Sequence, residues 1–117
     1  MNIKEITRIL QTFSDQRDWN QFHTPKNLAM ALNVEASELL ELFQWSNSGG
    51  AEESEQDSDC REDIAREVAD IMIYLIRFCD VVNIDLEHAV RNKIDENEEK
   101  YPVSLSRGNA VKYSRRD

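Results

Sequence analysis

Glycine, proline, cysteine and histidine are scarce in this chain of 117 residues, which holds three Gly, two Pro, two Cys and two His. A β fold with many turns needs Gly and Pro more often than this, so their scarcity favours long helices. Cys60 and Cys79 fall in one predicted helix, about 28 Å apart along its axis, which excludes a disulfide between them. No Cys/His spacing indicates a zinc site.

The chain also has fewer positive than negative side chains, and it lacks long apolar runs. Its formal net charge is −9, which argues against a nucleic-acid backbone or an anionic membrane as the main partner. The longest apolar run, Ile71 to Ile76, is far shorter than the ~20 residues of a membrane span. The first residues do not have the basic and then apolar form of a signal peptide. We therefore expect a soluble, cytoplasmic protein.

Apolar periodicity and capping residues predict four helices with short connectors. Thr24 and Asp85 are typical N-caps, and Asn83 is a typical left-handed C-cap. The predicted helices cover residues 2–17, 25–45, 60–82 and 86–100. The fold class is thus all-α, a four-helix bundle in a single domain over residues 1–103, followed by a basic tail over 104–117. Residues 46–59 are small, polar and acidic, which predicts a mobile loop.

The segment from Glu67 to Cys79 dominates the pattern because it is apolar on almost every side. Such a helix is typically buried all round, and in so small a domain this predicts contact with another chain. Glu67 and Asp70 nevertheless share one face at its start. Buried carboxylates are costly unless they are paired, protonated or bound to a metal.

Glu35 and Glu38 on the preceding helix can face Glu67 and Asp70, and four carboxylates suit a hard cation such as Mg²⁺ or Mn²⁺. The spacing alone is weak, because Glu-x-x-Glu recurs at Glu38/Glu41 and elsewhere among 23 acidic residues. A solvated helix face with ordinary ion pairs is the competing interpretation.

Two further groups have two interpretations each. Lys93 and Asn97 lie on the apolar side of the last helix. In one interpretation the Lys93 stem covers apolar surface while its ammonium reaches water. In the other, the polar groups of Lys93 and Asn97 are directed at the acidic residues. The aromatic residues Trp19, Phe22, His23 and Trp45 either cap the bundle or form a stacking wall for a planar ligand.

Three stretches resemble one known family: Arg17 to Leu28, Glu35 to Trp45 and Lys93 to Val103. Their combination, with Glu-x-x-Glu followed after 28 intervening residues by Glu-x-x-Asp, is similar to the all-α nucleoside triphosphate pyrophosphohydrolases, the MazG-like superfamily, and to its dCTP pyrophosphatase branch. The resemblance covers nearly the whole chain. It is weakest over residues 47–59 and at Leu10 and Gln11, where some relatives carry a histidine.

The resemblance implies Mg²⁺-dependent hydrolysis of a nucleoside triphosphate, dCTP or 5-modified dCTP, to a monophosphate and pyrophosphate, as nucleotide-pool sanitation. It implies Glu35, Glu38, Glu67 and Asp70 as metal ligands, with Glu35 or Glu38 orienting the attacking water. It also implies Lys93 on the phosphates and Asn97 on the base. The residues expected to line the base and sugar are Trp19, Phe22, His23, Trp45 and Tyr74. A homotetramer with shared sites is expected.

Two alternatives stay open from sequence. One is the same chemistry with a different or broader base preference. The other, of a different class, is a non-catalytic helical interaction module whose acids only form a solvated surface.

Overall fold

The computed structural model describes residues 1–44 and 58–115, with Ser58 and Asp59 described by their backbone alone. Every element in these ranges is helical. The elements are α1 (Ile3–Gln16), a 3-10 turn (Asn20–Phe22), α2 (Pro25–Glu41), α3 (Ser58–Val81), α4 (Leu86–Lys100), α5 (Val103–Ser106) and a second 3-10 turn (Tyr113–Arg115). The all-α prediction is therefore confirmed. The predicted loop over residues 46–59 lies outside the described residues except at Ser58 and Asp59, which belong to α3.

The capping residues fix most helix ends as the sequence predicts. The Thr24 side chain accepts a hydrogen bond from the Asn27 amide, and Asp85 accepts one from the His88 amide. Asn83 has a φ of 57°, the left-handed conformation that ends a helix. One predicted end is wrong: α2 stops at Glu41 rather than Trp45, because the chain leaves the helix in a series of turns over residues 42–44.

The structure forms two compact units, residues 1–84 and 85–117. In the first unit, α3 is the central helix, and both α1 and α2 pack against it. Among the described residues of this unit, the buried apolar side chains are Leu28 of α2 and Ile76 and Cys79 of α3. Neither Cys79 nor Cys60 is in a disulfide. This packing holds the middle of α2 beside the first turns of α3.

Within the single chain, burial of α3 is incomplete, although its sequence predicts a helix covered on every side through contact with another chain. Val68 and Ile73 on α3 are exposed, and so are Ile9 and Phe13 on α1. Their exposure leaves a substantial apolar surface on the first unit. Whether a second chain covers it stays a prediction.

The second unit consists of α4, α5 and the chain that follows. Tyr101 and Tyr113 meet edge to face with their ring centroids 6.0 Å apart, and the Lys100 ammonium lies over the Tyr113 ring. The predicted basic tail thus contains a short helix and a 3-10 turn. None of the described helices has the length and apolar content needed to cross a membrane. The four-helix bundle and its domain limits stay predictions.

Candidate metal and nucleotide site

Three of the predicted acidic residues converge in the first unit. Glu35 and Glu38 lie on α2 one turn apart, and Glu67 lies on α3 opposite them. One carboxylate oxygen from each of the three lies within 4.8 Å of the others. The approach follows from the packing of α2 on α3, which brings the same-face acids of both helices together.

The acids in this cluster lack compensating donors. Oε2 of Glu35 and Oε2 of Glu67 are buried, and no N–H or hydroxyl group among the described residues donates a hydrogen bond to either oxygen. None of the ion pairs between described residues involves Glu35, Glu38, Glu67 or Asp70. Buried, unpaired carboxylates are costly, so the arrangement favours either a shared proton or a bound cation.

The pKa values show the same strain. Burial, a hydrogen bond to Glu67 and the nearby negative charges of Glu38 and Asp70 raise the pKa of Glu35 to about 7. The hydrogen bond with Glu35 lowers the pKa of Glu67, but burial and the charges of Glu38 and Asp70 outweigh it, so the net pKa of Glu67 is raised. Two carboxylates can share a hydrogen bond only when one is protonated, so without a cation this pair favours a bound proton below about pH 7.

Asp70 takes part through its charge. It lies one turn beyond Glu67 on α3 and is half-buried, and its negative charge acts on both Glu35 and Glu67. Its carboxylate is outside the group of three oxygens that lie within 4.8 Å. The structure thus brings three of the four predicted ligands together and places the fourth beside them.

The aromatic residues predicted for a base lie around the first 3-10 turn. Trp19 packs edge to face on Phe13, with ring centroids 5.5 Å apart, and on His23, with centroids 6.3 Å apart. Trp19 is 44% exposed and Phe22 is 59% exposed, so both rings keep open faces. Tyr74 is half-buried on α3, one turn beyond Asp70. Trp45 lies outside the described residues.

Lys93 and Asn97 lie on α4 in the second unit, and both are exposed there. The Lys93 ammonium pairs with Glu96 at 3.3 Å, and its side chain is 58% exposed. The backbone carbonyl of Asn97 accepts a hydrogen bond from the amide of Tyr101.

A second polar cluster was missed by sequence reasoning. It centres on Arg77, a buried residue of α3, and joins residues from α1, the 3-10 turn and α3: Gln11, Ser14, Asn20, His23, Arg77 and Asp80. The available signal was an arginine inside an apolar run, three residues before an aspartate. We refer to it as the Arg77 network.

Comparisons with known proteins assign the chain to a family. The MazG-like family matches residues 30–115, most of the chain, and the chain belongs to that family. The chain is 40% identical over 112 residues to dCTP pyrophosphatase 1 of Rattus norvegicus, covering 96% of this chain and 66% of that protein. For dCTP pyrophosphatase 1 of Homo sapiens the identity is 40% over 114 residues, with 96% and 66% covered.

A solved structure gives the same result. The crystal structure of a pyrophosphatase from Archaeoglobus fulgidus matches with a TM-score of 0.77 at 39% identity, covering 87% of this chain and 94% of that chain. The chain spans just under two thirds, 66%, of the length of the curated relatives. The sequence resemblance to the MazG-like superfamily and its dCTP pyrophosphatase branch is confirmed.

Proposed function

We propose that the protein is a Mg²⁺-dependent nucleoside triphosphate pyrophosphohydrolase that converts dCTP, and 5-modified dCTP, to dCMP and pyrophosphate. The observation that carries the proposal is the cluster of Glu35, Glu38 and Glu67, in which two buried oxygen atoms receive no hydrogen bond from the residues that the structure describes. Relatives named dCTP pyrophosphatase 1 support the choice of substrate.

The acidic cluster fits a hard divalent cation. Its donors are all carboxylate oxygens, which suit Mg²⁺ or Mn²⁺ rather than a softer metal. Glu35, Glu38 and Glu67 would hold the ion, and the negative charge of the nearby Asp70 would also stabilise it. When bound, Mg²⁺ neutralises triphosphate charge and lowers the pKa of a coordinated water. Without that positive charge, an acidic pocket would repel a triphosphate.

The chain's own residues would then perform three tasks. Either Glu35 or Glu38 orients the attacking water and accepts its proton. The Lys93 ammonium stabilises negative charge on the phosphates, and it exchanges Glu96 for phosphate oxygen at little cost because the exposed pair contributes little. The Asn97 side-chain amide offers a donor and an acceptor together, which suits the edge of cytosine.

The base would stack against the exposed rings of Trp19 and Phe22, with His23 beside them. Trp45 belongs to the same proposal from sequence, although it lies outside the described residues. Tyr74 shares the face of Asp70 on α3, where its ring would pack on the deoxyribose and exclude a 2′-OH by steric conflict.

We also propose that the protein works as a cytoplasmic homotetramer with sites shared between subunits. The exposed apolar side chains on both α1 and α3 support an interface of this kind, since exposed apolar surface favours association. Light scattering coupled to gel filtration measures the assembly directly, and a monomer at micromolar concentration would contradict it.

A substrate panel tests the proposed reaction. All dNTPs, all NTPs and 5-methyl-dCTP are compared by kcat/KM, with pyrophosphate as the detected product and Mg²⁺ present or removed by EDTA. We expect dCTP and 5-methyl-dCTP to have the highest kcat/KM, and we expect EDTA to abolish the release of pyrophosphate. A higher kcat/KM for dTTP, dUTP or a purine nucleotide would overturn the cytosine assignment. If no substrate released pyrophosphate, the result would favour the non-catalytic helical module.

A further inference from the structure

Arg77 is a charged residue buried inside the most apolar helix of the chain, with 8% of its surface exposed. Its guanidinium donates in three directions. Nε donates to Nδ1 of His23 at 3.0 Å, Nη1 to Oδ2 of Asp80 at 3.0 Å and Nη2 to Oδ1 of Asn20 at 2.6 Å. One side chain therefore ties α3 to the 3-10 turn and to the residue that follows it.

The contact with His23 determines which ring nitrogen carries the proton. An arginine Nε–H is always a donor, so Nδ1 of His23 must be the unprotonated acceptor. The Ser14 hydroxyl, 3.5 Å from the same nitrogen, is compatible only as a second, weaker donor. The neutral ring is thus the Nε2–H tautomer. Burial and the charge of Arg77 both lower the pKa of His23, which keeps the ring neutral.

The other edge of the ring carries Nε2. No described residue of the first unit (1–44 and 58–84) forms a hydrogen bond with Nε2 of His23. The ring is half-buried and packs edge to face on Trp19, whose indole is exposed. His23 therefore presents one hydrogen-bond donor, Nε2–H, in a fixed direction beside the exposed ring of Trp19, on which a planar group can stack.

We infer that Arg77 is a positioning residue, which holds His23 as the Nε2–H tautomer so that the ring donates one hydrogen bond to a carbonyl oxygen or ring nitrogen of a planar ligand stacked near Trp19. The inference rests on the proposed function in taking that ligand to be a nucleotide base. Arg77 itself acts only through His23 and Asn20.

Asp80 and Gln11 explain why the donor at this position is arginine. Gln11 donates to both carboxylate oxygens of Asp80, at 3.1 and 2.9 Å, and Asp80 accepts from Arg77. The guanidinium is planar, and its fork reaches Asp80, Asn20 and His23 at once. A lysine ammonium is a point charge on a flexible stem and does not reproduce this geometry.

The first test is spectroscopic and does not depend on turnover. In ¹⁵N-labelled full-length protein, ¹H–¹⁵N correlations of the histidine rings report the tautomer of His23, assigned by comparison with His23→Gln. We expect a single Nε2–H tautomer in the wild type. We expect mixed tautomers, and titration nearer pH 6.5, in Arg77→Lys and in Arg77→Met/Asp80→Met, the latter leaving no unpaired buried charge. Arg91→Met, an exposed arginine on α4, is the control.

The second test is ligand recognition. Adding dCMP should shift the Nε2–H resonance of His23, whereas deoxyribose 5-phosphate, which lacks the base, should not. In Arg77→Lys we expect the KM for the best substrate to rise about three- to tenfold, the value of one hydrogen bond, with kcat within twofold. The Arg91→Met control should leave both constants unchanged.

The outcomes separate the two proposals. If wild type releases no pyrophosphate, the proposed function fails while the ring spectra and the dCMP titration still decide the role of Arg77. A wild-type Nδ1–H tautomer, the same tautomer in all variants, an unmoved Nε2–H with dCMP, or an unchanged KM in folded Arg77→Lys would each overturn the inference.

Discussion

Two groups of charged side chains lie ten residues apart on α3, about 15 Å along the helix axis. Around Glu67, carboxylates face one another, and two buried oxygens have no partner among the described residues. Around Arg77, the guanidinium and the Asp80 carboxylate meet partners from three segments. The chain itself completes the second group, whereas the first needs a proton or a cation from outside.

The difference separates polar groups that stabilise the fold from polar groups kept for binding. A satisfied buried network holds its segments in one arrangement, and removing a member leaves the others costly. A cluster of like charges stores repulsion in the folded protein, and removing a member relieves it. The two groups should therefore respond in opposite directions to the same substitution of an acid by its amide.

The largest expected effect is the loss of activity in Glu67→Gln. The amide cannot supply the negative charge that a divalent cation needs, and even outer partners of metal ligands contribute 10–100-fold, so we expect kcat/KM for dCTP to fall by more than about 100-fold. The control is Glu62→Gln, an exposed acid on the same helix. Unchanged turnover in Glu67→Gln would show that the acid is not a ligand.

Mg²⁺ should stabilise the wild type substantially. An ion that binds only the folded protein contributes about 2.7 kcal/mol at a concentration of 100 Kd. Urea unfolding with MgCl₂, or with NaCl at equal ionic strength, measures this difference. We expect the gain in wild type and in Asp80→Asn but not in Glu67→Gln. An equal gain with NaCl would indicate simple screening of the acids.

The metal-free proteins give the direct comparison between the two groups. Asp80→Asn leaves the Arg77 guanidinium buried without its anion, so we expect a loss of about 1–3 kcal/mol in the free energy of unfolding. Glu67→Gln removes repulsion and should leave stability unchanged or raise it. Asp63→Asn, in an exposed pair on α3, is the control. Destabilisation of similar size in both variants would remove the distinction drawn above.

The sequence predicts the part of this picture that is local. Caps at Thr24, Asn83 and Asp85 mark helix ends, and the three-residue spacing puts Glu35 and Glu38 on one face of α2. The sequence also predicts that Glu35 and Glu38 can face Glu67 and Asp70, and the structure brings Glu35, Glu38 and Glu67 together. Gln11, in the part of α1 where the family resemblance is weakest, donates a hydrogen bond to Asp80.

The Arg77 network could not be predicted because its contacts are not local. Asn20 and His23 are 57 and 54 residues from Arg77 along the chain, and no periodicity links them. The end of α2 was missed for a different reason: Leu42 and Phe43 continue the apolar pattern, but the backbone turns there. Exposure of Val68 and Ile73 likewise depends on what packs on α3, which the composition of the helix does not show.

The pH dependence of stability should show both groups with opposite signs. The pKa of Glu35 is raised to about 7 in the folded protein. The contribution of Glu35 to the free energy of unfolding is therefore full below its ordinary pKa of 4.5 and is lost as pH rises through 7. The pKa of His23 is lowered in the folded protein. The contribution of His23 to the free energy of unfolding is therefore present above pH 6.5 and is lost as pH falls below that value.

Urea unfolding of metal-free protein between pH 4 and 8 separates these contributions. Glu35→Gln should remove the decline toward high pH, and His23→Gln should remove the decline on acidification. Saturating Mg²⁺ should abolish the Glu35 contribution and leave that of His23. A wild-type slope that neither substitution alters would show that other groups govern the titration.

The smallest expected effect concerns an arginine of α3 that belongs to neither group. Arg66 pairs with Asp63 at 3.0 Å, the same length as the Arg77–Asp80 pair, but 70% of its side chain is exposed. Water already solvates both charges, so Arg66→Met should change the free energy of unfolding by no more than about 0.5 kcal/mol. Equal distances with unequal effects would show that burial, and not the geometry of the ion pair, makes the Arg77 network stabilising. A loss in Arg66→Met as large as that in Asp80→Asn would instead assign the effect to helix charge pairing in general.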